Sequence, residues 1–266
     1  MARIAIIGGG GMGEALLAGL LRAGRQVKDL VVAERLADRA DYLSNKYSVR
    51  MASVGAAVEN ADFVIVAVKP SDAESVVAVI AELAAQADSD TVEQVLISVC
   101  AGITTAFYEA RLPAGSPVIR VMPNAPALVG AGVSALAKGR FATDEHLAQA
   151  STLFESVGAV VTVPESQLDA VTAVSGSGPA YFYLFVEALV DAAVANGLQR
   201  AIATDLVAQT MAGSAAMLLE RIDDERTAGT DTGLDTTPAR LRAMVTSPAG
   251  TTAAGLASDD HRSECR

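Results

Sequence analysis

The run Gly8-Gly9-Gly10-Gly11-Met12-Gly13 narrows the possible folds of this chain more than any other feature. It stands directly between an Ile-rich run, Arg3 to Ile7, and a helical pattern that opens at Met12. The spacing is Gly-x-Gly-x-x-Gly. The first glycine permits a tight turn, the second lets the backbone approach a pyrophosphate, and the third lets the helix pack closely on the strand, with the phosphates at the helix N-terminus. A second β-rich run ends at Glu34-Arg35, about twenty residues further on, which completes a dinucleotide-binding fingerprint. Gly8, Gly9, Gly10, Gly11, Met12, Gly13, Glu34 and Arg35 are therefore candidate cofactor residues. A carboxylate at the end of this strand grips the ribose 2′-hydroxyl of NAD, whereas an arginine accommodates the 2′-phosphate of NADP. Both stand here. Arg35, helped by Arg39, favours NADPH, with NADH as the alternative.

Up to residue 163 the same texture continues, with short β-rich runs alternating with alanine-rich helical stretches, the pattern of parallel βαβ units covered by helices. Strands are predicted at Arg3–Ile7, Leu30–Ala33, Phe63–Val68, Val95–Val99 and Val118–Val121, with helices at Met12–Ala23, Asp72–Ala87 and Asp144–Val157. After Val163-Pro164-Glu165 the strand signal fades, so a domain boundary is expected there: a Rossmann-type α/β doubly wound domain over 1–164 and an all-α domain over 165–266. Within the latter, a helix opening at Pro179 runs to Gly197 with apolar residues on most of its circumference, and must be buried. The next helix, Ala201 to Ile222, carries Ala208, Ala212, Gly213, Ala215 and Ala216, small residues that admit a close neighbour. So much apolar helix surface in so short a piece points to an interface with a second copy of the chain, an ordinary intrachain helical core being the alternative. Asp223 to Thr237 is polar and aperiodic, and reads as a mobile loop.

Composition removes several function classes. A net charge of −11 repels polyanions, so nucleic acid is not an expected partner. No uninterrupted apolar run reaches the roughly eighteen residues of a membrane span, and the short N-terminal apolar run lacks a cleavage site, so a cytoplasmic protein without a membrane partner is expected. The cysteines, Cys100 and Cys265, have no metal-ligand spacing, and the only histidines are His146 and His261. Metal-assisted chemistry and nucleophilic hydrolysis thus have little to stand on. Hydride transfer demands less, because the cofactor carries the reactive atom and the protein binds, orients and shields it.

Two further stretches read as ligand loops. Arg120-Val121-Met122-Pro123-Asn124-Ala125-Pro126 follows a strand, so its side chains emerge at the carboxyl ends of the sheet, where Asn124 could reach cofactor or substrate or else brace its own turn. Ser247-Pro248-Ala249-Gly250-Thr251-Thr252 leads into a short helical stretch and offers backbone N–H groups to a carboxylate, a plain N-cap being the simpler reading.

Together these residues resemble the pyrroline-5-carboxylate reductases, which catalyse the last step of proline synthesis. The likeness runs through the glycine loop, Val68-Lys69-Pro70, Cys100-Ala101-Gly102-Ile103-Thr104, Arg120 to Pro126, Val174-Ser175-Gly176-Ser177-Gly178-Pro179-Ala180-Tyr181, Ala212-Gly213-Ser214-Ala215 and Ser247 to Thr252. The resemblance implies a Rossmann domain followed by a helical domain that dimerises, with dimers assembling further into a ring. It implies that Val68, Lys69, Pro70 and Ala101 lie along the cofactor. It also implies that Ser247, Gly250, Thr251 and Thr252 cradle the carboxylate of 1-pyrroline-5-carboxylate, that Thr252 hydrogen-bonds the ring nitrogen, and that Glu165 faces the substrate ring. A protonated cyclic imine accepts hydride without a strong base, in keeping with the sparse inventory of catalysts. Two departures stand out: Ala249 replaces a common glycine of the cradle, and Gly255 to Arg266 lacks the apolar period of the family's terminal helix. The alternatives are a related imine or hydroxyacid reductase, disfavoured because no lysine occurs beyond Lys138, and a dinucleotide-binding protein impaired by its altered tail.

Overall fold

The structure, a computed structural model, describes residues 2–86, 93–228 and 237–263. Among the described residues eight strands form one sheet: β1 (Ile4–Ile7), β2 (Leu30–Ala33), β3 (Arg50–Met51), β4 (Phe63–Val66), β5 (Val95–Ser98), β6 (Val118–Met122), β7 (Gly132–Lys138) and β8 (Gly158–Thr162), in the order β3-β2-β1-β4-β5-β6-β7-β8. The first six are parallel and wound as two mononucleotide-binding halves that diverge between β1 and β4. β7 runs antiparallel to β6, and β8 runs parallel to β7.

Parallel strands buried on both faces need near-continuous apolar runs, and β1, β2, β4 and β5 are such runs. Side chains alternate between two cores. Ile4 and Ile6 face α1 (Gly11–Arg22), α2 (Ala37–Tyr47) and the later α6 (Asp144–Phe154), whereas Ala5 and Ile7 face α3 (Val54–Val58), α4 (Ala73–Gln86) and α5 (Thr105–Glu109). The predicted strands and helices appear within a few residues of their expected ends. Three strands were not anticipated: β3, β7 and β8.

After β8 the chain enters α7 (Leu168–Val171), a single π-helical turn (Thr172–Gly176) and α8 (Gly178–Ala195). The chain divides into two compact units, Met1–Phe182 and Tyr183–Arg266. Residues 165–176 belong to the first because Leu168 is fully buried against Ala135 and Ala137, with Val171 and Met122 packed around it.

In the second unit α8 continues, Gly197 turns the chain at φ +97°, and α9 (Arg200–Thr227) follows, with Arg200 paired to Asp191 at 2.8 Å. Then come α10 (Thr237–Met244) and α11 (Thr251–Ser263). The loop expected over Asp223–Thr237 needs correction: Asp223 to Thr227 are the last turn of α9, Thr237 opens α10, and residues 229–236 lie outside the described residues. The described part of the tail is helical through Ser263. Buried apolar contacts here are few, chiefly Val190, Ala203 and Val207. Tyr181 to Phe185 are each at least 60% exposed. Two stretches, Glu165–Ala195 and Arg200–Thr227, have the length and mean hydropathy of membrane spans by composition alone. A few polar residues scattered along each keep them from being uninterrupted apolar runs.

Candidate active site

The glycine loop joins β1 to α1 at the carboxyl edge of the sheet, beside the point where the strand order reverses. Gly8 has φ +106°, and a Cβ there would lie 2.6 Å from the Ala67 carbonyl oxygen. A Cβ on Gly13 would sit 1.9 Å from the Gly8 carbonyl oxygen, so helix and strand could not approach as they do. Gly9 is hemmed in by Leu43. Gly10 and Gly11 face open space, and no side chain caps the first turn of α1, whose N–H groups therefore point at an uncovered concavity. Met12 packs on the core below. The two middle glycines leave room for a ligand, whereas Gly8 and Gly13 are glycines because neighbouring backbone leaves no space for a Cβ.

Glu34 ends β2 with its carboxylate turned back on the loop, accepting from the Gly9 N–H at 2.8 Å and the Leu36 N–H at 2.8 Å. Arg35 beside it is 81% exposed, with Asp72 at 3.8 Å as a loose partner. Arg39 is committed elsewhere: its Nε donates to the Gly9 carbonyl at 2.7 Å and its guanidinium pairs with Glu14. Glu14 also accepts from Lys46 at 2.9 Å and from the Tyr47 hydroxyl at 2.8 Å. Burial alone would raise its pKa, but the hydrogen bonds from Lys46, Tyr47 and Arg39 prevail and hold it at about 2. The sequence reading had not assigned Glu14. A Glu in the first turn of a helix whose N-terminus is to hold phosphate was the available signal, since it must be neutralised locally.

A cleft of about 570 Å³ opens between these groups, bordered by Gly8, Gly10, Glu34, Arg35, Val68 and Lys69. Lys69 precedes the short 3₁₀ turn Pro70–Asp72, and Asp72, Ser75 and Val76 beyond it continue the wall of the cleft. Beneath Val68 the thiol of Cys100 lies 3.3 Å from the Val68 carbonyl and 3.6 Å from that of Val66, joining the ends of β4 and β5. Ala101 follows, exposed at the carboxyl edge.

Asn124 and Glu165 have fixed partners. The Asn124 carbonyl accepts from the Val133 N–H at 2.9 Å and its amide donates to the Ser175 carbonyl at 3.2 Å. Glu165 accepts from the Thr105 N–H and hydroxyl, each at 2.7 Å, and pairs with the buried Arg120 at 3.4 Å. Neither Thr105 nor Arg120 was singled out as its partner. An arginine inside an otherwise apolar strand was the available signal, because a buried charge requires a designated partner.

Comparison with known proteins identifies the family. Residues 165–263 match the family model described as pyrroline-5-carboxylate reductase dimerisation, and residues 3–102 match one described as NADP oxidoreductase, coenzyme F420-dependent. A pyrroline-5-carboxylate reductase of Mycobacterium tuberculosis is 67% identical over 260 residues, 96% of this chain and 88% of that protein. The chain belongs to the pyrroline-5-carboxylate reductase family. Among solved structures, the reductase of Coxiella burnetii superposes with a TM-score of 0.85 at 32% identity, covering 98% of this chain and 92% of that one. The Plasmodium falciparum enzyme, solved with NADP bound, gives 0.81 at 29% identity, covering 98% and 90%.

The remaining residues that the reductase resemblance singled out, Ser247 to Thr252, lie in the second unit, in the loop between α10 and α11. Gly250 donates its N–H to the Ser247 carbonyl at 3.0 Å and accepts from Ala254 at 3.1 Å, which bends the loop into the first turn of α11. Ser247, Thr251 and Thr252 are exposed. Ala249 has φ +57°, the left-handed region that glycine enters freely and alanine does not.

Proposed function

We propose that this chain reduces 1-pyrroline-5-carboxylate to L-proline with NADPH, the last step of proline biosynthesis. The full-length likeness to the mycobacterial reductase carries the proposal. The glycine loop supports it independently, since Gly10 and Gly11 leave room for a pyrophosphate against the first turn of α1. When bound, the reduced nicotinamide supplies hydride to the carbon of a protonated C=N bond. The chain's own part is to hold, align and shield. Gly8 to Gly13 seat the pyrophosphate, while Val68, Lys69, Pro70 and Ala101 line the path of the dinucleotide. Arg35 reaches the 2′-phosphate once its loose contact with Asp72 yields, and Glu34, engaged with Gly9, fixes the loop. NADH is a second, weaker donor.

The substrate domain begins at Glu165 in this reading and extends to residue 266. Backbone N–H groups of the Ser247–Thr252 loop receive the ring carboxylate, with Gly250, whose own N–H donates to the Ser247 carbonyl, shaping the turn between Ser247 and Thr251, and the Thr252 hydroxyl hydrogen-bonds the ring nitrogen. The dimerisation segment makes the chain a homodimer. The exposed apolar surface of α8 and α9 is what a second copy covers, and dimers assemble further into a ring in the cytoplasm. Steady-state oxidation of NADPH and of NADH in the presence of 1-pyrroline-5-carboxylate tests the proposal. It predicts turnover with both and higher kcat/KM with NADPH; cofactor binding without oxidation would refute it.

A further inference from the structure

Residues 165–175 form a strap along one face of β6 and β7, fastened at both ends. At the first end Glu165 takes two hydrogen bonds from Thr105 at 2.7 Å and an ion pair from Arg120, whose side chain is only 7% exposed. At the other end the Asn124 amide holds the Ser175 carbonyl, and its own carbonyl is held by the Val133 N–H. Between them Leu168 and Val171 are glued to Met122, Ala135 and Ala137. The strap ends in the π turn, closed by the Ser177 N–H on the Thr172 carbonyl at 2.8 Å, with Gly176 against Met122. A single π turn is an energetically poorer arrangement than continued α-helix, and persists where its surroundings hold it.

We infer that Glu165 and Asn124 are positioning residues, clamping the two ends of this strap so that the π turn stands fixed beside the carboxyl end of β6. The inference rests on the reductase reading, and replaces the substrate contact implied for Glu165 with an indirect part. Both oxygens of the Glu165 carboxylate are already engaged, and its partners come from two separate segments, Thr105 at the start of α5 and Arg120 in the middle of β6. The carboxyl end of β6 belongs to the half of the sheet that borders the nicotinamide in a doubly wound fold. A turn that shifts there displaces one wall of the reacting site, and hydride transfer requires the donor and acceptor carbons within about 3–3.5 Å. The clamp therefore acts on kcat and leaves the pyrophosphate grip alone.

Thr105→Val, Thr105→Ser and Glu165→Gln test this in the full-length protein through kcat, KM for NADPH, and hydrogen exchange of residues 168–177. Thr105→Val and Glu165→Gln are each expected to lower kcat about tenfold, to change KM for NADPH less than twofold, and to speed exchange across the strap. The double variant should be no worse than either single one, because both break one clamp. Thr105→Ser retains the hydroxyl and restores near wild-type values. Should Thr105→Val fail to fold, the isosteric Glu165→Gln carries the same readouts. A loss of kcat in Glu165→Gln with exchange unchanged would mean direct substrate contact and overturn the inference, as would wild-type values in both variants. A wild-type protein that lacks imine reduction, yet shows faster strap exchange in the variants, would sink the reductase reading and leave the clamp standing.

Discussion

Alanine at Gly13 and alanine at Gly10 should separate what the glycine loop does for the fold from what it does for the ligand. At Gly13 the new methyl would lie 1.9 Å from the Gly8 carbonyl oxygen and 3.0 Å from its carbon, both backbone atoms that cannot swing aside. Overpacking against rigid backbone costs about 3 kcal/mol, the upper end of the usual range. For a domain of this size that lowers the melting midpoint by roughly 6–12 °C. At Gly10 nothing lies within 4 Å of the added methyl, and φ −63° with ψ −171° suits alanine. The remaining cost is the poorer N-cap, about 1 kcal/mol. The methyl would, however, occupy the concavity before α1, and loss of close backbone approach should weaken NADPH by on the order of tenfold or more. Thermal denaturation and fluorescence titration with NADPH read the two effects separately. Wild-type NADPH affinity in Gly10→Ala, or an unchanged midpoint in Gly13→Ala, would refute the division of labour.

Arg35→Ala should raise KM for NADPH more than KM for NADH, and equal effects would remove Arg35 from the 2′-phosphate site. Ala249→Gly relieves an alanine held at φ +57°. The relief of about 1 kcal/mol is partly offset by the greater freedom of glycine in the unfolded chain, so unfolding should become harder by a few tenths of a kcal/mol, with KM for the imino acid unchanged or lower. A higher KM would contradict the strain. Glu14 has a folded pKa of about 2 against an ordinary 4.5, so its contribution to stability is complete above pH 4.5 and is lost as pH falls toward 2. Denaturant curves of Glu14→Gln and wild type should therefore differ most at neutral pH and converge on acidification; a gap that stays constant below pH 4.5 would show that the charge of Glu14 does not matter.

The strands that could be read from the sequence are those whose own composition decides them, such as Leu30–Ala33 and Phe63–Val66, apolar and β-branched between turn residues. β7 could not be read that way. Its sequence, Gly-Val-Ser-Ala-Leu-Ala-Lys, has weak strand propensity, and it is a strand because Arg120 and Val121 of β6 offer Ala137 and Leu136 an antiparallel partner. β3 has two residues and exists only beside β2. The glycine loop was legible because each glycine answers a local steric demand. The direction of Glu34 was not, since whether a carboxylate faces a ribose or the Gly9 N–H depends on how the loop closes. The same holds for Asn124 and Glu165, which reach Ser175 and Thr105, 51 and 60 residues away in the chain.

In the proposed reaction hydride passes from a nicotinamide seated on the Gly8–Gly13 loop to the ring carbon of a cyclic imino acid. Incubating the protein with 1-pyrroline-5-carboxylate and NADPH deuterated at the transferable position, then weighing the product by mass spectrometry, tests it most directly. The expected product is proline carrying one deuterium on the carbon that had been double-bonded to nitrogen, with one NADPH consumed per proline formed. Proline without the label, or bound NADPH that is never consumed, would contradict it.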